Sequence, residues 1–94
     1  MATVMVMHWP GLTTKDYDSV RHEVKWETNT PAGAKYHVAW ATGDGIHVID
    51  VWESGQRFEQ FLQGRLMPAV QKLKIPGQPK VDLFEAHATF APNP

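Results

Sequence analysis

Asp44–Leu66, DGIHVIDVWESGQRFEQFLQGRL, runs without a break from a dense strand signal into an amphipathic helix. Ile46 to Trp52 is apolar and β-branched at both parities, the pattern of a strand covered on both faces. Asp50 interrupts that pattern. A carboxylate in such a strand costs free energy unless it is paired or hydrogen-bonded, so its presence marks a candidate site. Ser54 reads as the cap of the helix that follows. That helix carries a stripe of Phe58, Phe61, Leu62, Leu66, Ala69 and Leu73, with Gly64 and Pro68 expected to bend or split it.

Working outward, Tyr36–Thr42 is a strand, joined through Gly43-Asp44-Gly45 to the strand Ile46–Glu53. Ala2–Trp9 is another, with Val4 and Val6 on one parity and Met5 and Met7 on the other. Pro10-Gly11 ends it, and Thr13 caps a helix expected to run to about Glu27, with Leu12 stapled onto Tyr17. At about 100° per residue, Tyr17, Val20 and Val24 share one stripe, while His22 and Trp26 fall on the opposite, outer side. Asn29–Ala34, holding Pro31 and Gly33, is a loop. Val81–Phe90 is the last strand, and Ala91–Pro94 is a tail with no order of its own expected.

The order β-α-β-β-α-β gives an α+β, ferredoxin-like fold: a four-stranded antiparallel sheet with both helices on one face. The 94 residues form a single domain spanning 1–94. Two helices cover only one sheet face, yet the first and third strands are apolar on both. A second copy is the simplest cover, so a homodimer packed sheet against sheet is expected. The chain has no cysteine and a net charge of −1, which points to a reducing compartment and away from nucleic acid as a partner. No leader and no membrane span are legible, so the expected location is cytoplasmic.

The element order and the join VIDVWESGQRFEQFLQGRLMPAV, in which a strand ending Trp-Glu-Ser enters a helix with paired Phe residues, resemble the dimeric α/β-barrel proteins of the antibiotic-biosynthesis-monooxygenase type. The resemblance spans nearly the whole chain. It implies a ligand cleft between helices and sheet, in a superfamily of cofactor-independent quinone-forming oxygenases, polyketide cyclases, muconolactone isomerases and haem-degrading enzymes. The haem-degrading branch is disfavoured, because its axial histidine lies on the second helix and Ser54–Leu73 contains none.

If the hairpin turn has two or four residues, His37, Ala39 and Ala41 share a face with Ile46, Val48, Asp50 and Trp52. His37 then stands opposite or diagonal to Asp50, about 5–8 Å apart at Cβ. A carboxylate beside an imidazole fixes its tautomer and suits it to move protons; the plain alternative is a structural hydrogen-bond pair. Arg65, inside the apolar stripe of an unbroken helix, is a candidate to hold an oxyanion, against snorkelling to the edge or pairing with Asp50 or Glu53. Tyr17 can present a phenol to the cleft or simply pack. Trp52, Phe58, Phe61 and Leu62 are candidate walls for a flat ligand, or plain core. Glu85 and His87 share a face of the last strand and join either the site or the subunit seam. Trp40 and His47 belong to the opposite face and are expected to pack in the dimer interface. The five histidines are scattered over several elements with no metal-ligand spacing, so no metal site is expected.

The chain therefore reads as a small cofactor-independent enzyme acting by acid–base chemistry on a hydrophobic, oxygenated small molecule of polyketide or aromatic type. Its reaction would be that of a monooxygenase, cyclase or isomerase. The competing reading is a non-catalytic ligand-binding or structural dimeric module.

Overall fold

Residues 2–90 are described by a computed structural model. The strands are β1 (Thr3–Pro10), β2 (Ala34–Thr42), β3 (Gly45–Trp52) and β4 (Lys80–Glu85), and helix α1 (Thr14–Val24) joins β1 to β2. Between β3 and β4 lie α2 (Gly55–Phe61), a π-helical turn (Leu62–Leu66) and α3 (Met67–Lys72). The sheet order is β2-β3-β1-β4, antiparallel throughout. This is the ferredoxin-like α+β arrangement. Among the described residues no helix is long and apolar enough to cross a membrane.

Alternation sorts the strands' side chains onto two faces. Met5, Met7, Trp9, Ile46, Val48 and Trp52 face the helices and are buried with Val20, Val24, Phe58, Phe61 and Leu66. On the other face Tyr36, Val38, Trp40, Ile49 and Phe84 are large, apolar and exposed. The hairpin turn has two residues, because Thr42 pairs with Gly45. Gly45 must be glycine: its φ is +134°, and a Cβ there would lie 2.2 Å from Trp9 O.

Thr13 and Ser54 cap their helices as expected, their hydroxyls accepting from the amides of Asp16 and Arg57. Helix α1 stops sooner than Glu27. Lys25 adopts the left-handed conformation at φ 57°, and Lys25 and Trp26 donate back to His22 O and Arg21 O, a Schellman closure built without glycine.

The second helix is split, as Gly64 and Pro68 suggested. Proline cannot donate to the carbonyl four residues back, and Met67 N–H reaches Leu62 O, five residues away. The last strand ends at Glu85 rather than Phe90, since β1 pairs with it only as far as Thr3 and Ala86 N makes a final bond to Ala2 O. The tail Ala91–Pro94 lies outside the described residues.

Candidate active site

The two-residue turn makes His37 and Asp50 direct partners across β2 and β3, on the face turned towards the helices. Asp50 is 3% exposed. Its Oδ1 lies 2.6 Å from His37 Nδ1, and its Oδ2 accepts from Trp52 Nε1–H at 3.1 Å. His37 Nε2 is 2.5 Å from the Tyr17 hydroxyl, and Arg21 Nη1 donates to the same hydroxyl oxygen at 2.9 Å.

These contacts fit one consistent set of protons. Burial pushes the Tyr17 hydroxyl above its ordinary pKa, against the opposing pull of Arg21, so it is a phenol at neutral pH. Arg21 then donates to Tyr17, Tyr17 to His37 Nε2, and His37 Nδ1–H to Asp50. Every donor points towards the buried carboxylate. A chain oriented in one sense polarises each successive bond and holds His37 in the tautomer whose Nε2 lone pair faces Tyr17.

The Tyr17–His37 end of the relay opens on a cavity of about 70 Å³ between α1, α2 and the sheet. Its other walls are apolar, among them Met5, Val20, Val48, Phe58 and Phe61. Trp26 closes over the relay. Its ring centroid is 4.7 Å from that of His37, and its edge meets Trp52 and Phe61 at 6.1 and 5.6 Å.

The structure thus brings together four of the residues expected at the site: Tyr17, His37, Asp50 and Trp52. Trp52 acts from beneath, through its bond to Asp50, rather than as a wall. Phe58 and Phe61 do line the cavity. Leu62 is half-buried against the core without lining the cavity. His87 is exposed beyond the end of β4, because that strand stops two residues before it.

Arg65 is placed elsewhere. The extra residue of the π turn shifts the helix phase, and its guanidinium donates to Val24 O and to Asn29 O, fastening the end of α1 and the loop behind it. It pairs with neither Asp50 nor Glu53. The cation at the relay is Arg21, whose spacing of four from Tyr17 puts both on one helix face; that spacing was a usable signal. Trp26 also departs from its expected outer position, because the left-handed Lys25 turns the chain back over the sheet.

No protein-family model matches the chain, and no curated protein matches it as a relative. Solved structures do share the fold. A protein of unknown function from Nitrosomonas europaea superposes with a TM-score of 0.70 at 16% identity, over 99% of this chain and 95% of that one. SnoaB, a cofactor-independent oxygenase from Streptomyces nogalater, gives 0.64 at 21% identity, over 94% of each chain. The monooxygenase ActVA-Orf6 of Streptomyces coelicolor, solved with nanaomycin D, gives 0.54 at 17%, over 98% of this chain and 92% of that one. The chain shares the ferredoxin-like fold of these structures.

Proposed function

We propose that the protein is a cofactor-independent oxygenase that removes a proton from an electron-rich, hydrophobic phenol or polyketide-derived ketone. The observation carrying this reading is the oriented relay Arg21–Tyr17–His37–Asp50 ending on an apolar cavity. A substrate hydroxyl or acidic C–H placed against Tyr17 O gives up its proton as Tyr17 passes its own to His37, and Asp50 stabilises the imidazolium. Arg21 holds the negative charge that develops at the Tyr17–substrate end. The resulting enolate is the electron donor to dioxygen: a CH₂ group and one O₂ become a C=O group and one water. Two solved structures of the same fold, SnoaB and ActVA-Orf6, are described as an oxygenase and a monooxygenase, which agrees with this choice over cyclisation or isomerisation.

The cavity, at about 70 Å³, is smaller than the roughly 150 Å³ that accepts benzene. A ring substrate therefore enters by displacing Trp26, the side chain that roofs His37 from an exposed loop.

The test is incubation of the purified chain with an anthrone-type substrate, without added metal or cofactor. Oxygen uptake and quinone absorbance should rise together in air. Under nitrogen, the protein should still exchange the substrate's acidic C–H with deuterium from solvent. Binding without such exchange would leave a ligand-binding module in place of an enzyme.

The same reading includes a homodimer closed over the open sheet face. Val38 and Phe84 are 53% and 57% exposed there, so Val38→Glu and Phe84→Glu take little from the subunit's own core. Each should weaken self-association by about tenfold or more by placing a charge in an apolar contact. Sedimentation measures this directly, and a stable lone wild-type subunit at micromolar concentration rules the dimer out.

A further inference from the structure

On the open face of the sheet, away from the cavity, three ligand-bearing side chains converge. His8 of β1 and His47 of β3 are direct cross-strand partners, their rings stacked 4.3 Å apart with 9° between planes. Asp44, in the turn before β3, reaches both. Its Oδ1 is 3.2 Å from His47 Nε2, and its Oδ2 is 3.5 Å from His8 Nε2. One ligand atom from each residue lies within 4.8 Å of the other two.

Hydrogen bonding leaves this cluster incomplete. His8 Nε2 is shielded from solvent and makes no hydrogen bond among the described residues, and a buried ring nitrogen without a partner carries a desolvation cost. A cation would remove that cost. With metal–ligand bonds of 2.0–2.1 Å at a tetrahedral angle, neighbouring ligand atoms sit about 3.4 Å apart, and both nitrogen–oxygen separations already lie near that value. The Thr42 hydroxyl hydrogen-bonds the Asp44 carboxylate, an outer contact of the kind that orients a ligating carboxylate; it is also hydrogen-bonded to His47 Nε2 at 2.9 Å, a bond that an incoming ion displaces.

We propose that His8, Asp44 and His47 form a binding site for a divalent cation of the zinc class, with three protein ligands and an open fourth position. Two imidazoles and one carboxylate suit zinc and its neighbours, whereas calcium and magnesium take oxygen donors. Lone pairs in near-parallel rings do not converge, so binding requires the two imidazoles to tilt apart by several tens of degrees and give up their stack. The residues come from β1, β3 and the β2–β3 turn, so the cluster forms only in the folded sheet.

Zinc chloride titrated into the purified full chain, in competition with a chromophoric chelator at neutral pH, tests the site. One zinc per chain should bind with a Kd on the order of 1 µM or tighter. His8→Ala, His47→Ala and Asp44→Asn should each weaken binding by more than about a hundredfold, beyond the 10–100-fold attached to outer-shell partners. His22→Ala and His87→Ala, at exposed positions, should leave it unchanged. Circular dichroism confirms that each variant is folded; the exposed turn position of Asp44 keeps the test open if a strand variant fails. Cobalt substitution should give the intense visible bands of a four-coordinate ion in the wild type and lose them in Asp44→Asn. Zinc affinity indifferent to Asp44 and both strand histidines, or sensitive instead to His22 or His87, overturns the site. The relay, on the other face of the sheet, does not enter this measurement; the second copy proposed above covers the same face as the cluster, so the titration is repeated on Val38→Glu, whose zinc affinity should not fall below that of the wild type.

Discussion

His37→Ala should lower turnover of an anthrone-type substrate by at least about a hundredfold, the low end of what a positioned general base contributes and about 2.7 kcal/mol of transition-state stabilisation. The substitution removes the acceptor for the Tyr17 proton. It also leaves the Asp50 carboxylate, 3% exposed, with the Trp52 N–H as its one remaining hydrogen bond among the described residues, at a cost of about 1–3 kcal/mol in stability. The two effects separate in the double variant His37→Ala/Asp50→Asn, which has no buried charge to compensate. Its stability should recover while its turnover stays low. Recovery of both would make the pair structural and remove His37 from the chemistry. Tyr17→Phe keeps the ring and breaks the relay at the oxygen, so combining it with His37→Ala should add little further loss, as for residues that act as a unit.

How much of this was legible beforehand depends on which residues act through local rules. The strand–helix join at Ser54 and the β2–β3 register follow from capping and turn length, and the register alone places His37 against Asp50. The position of Arg65 does not follow from periodicity, because the π turn ahead of Pro68 changes the phase by one residue. Trp26 departs from the helical periodicity for a related reason: a helix usually closes on glycine or asparagine in the left-handed conformation, and here Lys25 does so. The His8–His47 pairing was out of reach. It depends on the register between β1 and β3, strands separated by a whole helix and a third strand, with no turn to set it. A face could be assigned to each histidine, but their adjacency could not.

Trp52→Ala should destabilise the fold by about 3–5 kcal/mol, the usual range for removing a large buried aromatic. Trp52 is 0% exposed. It meets Phe58 at 5.6 Å and Phe61 at 5.4 Å between ring centroids, and Trp26 packs edge-on against it. For a domain of this size such a loss lowers Tm by well over about 10 °C. Trp52→Phe divides the effect into its parts. It refills most of the volume but strips Asp50 Oδ2 of its donor, so the stability cost should fall to about 1–3 kcal/mol, chiefly the unmade hydrogen bond. Turnover of Trp52→Phe should nevertheless drop measurably at temperatures where the variant is fully folded, because a carboxylate released on one side no longer holds His37 in a single orientation. Denaturant melts and turnover measured on the same preparation decide the matter. Wild-type turnover with reduced stability would mean that the Trp52–Asp50 bond serves the core alone, and that the relay is oriented by the His37 pairing without support from below.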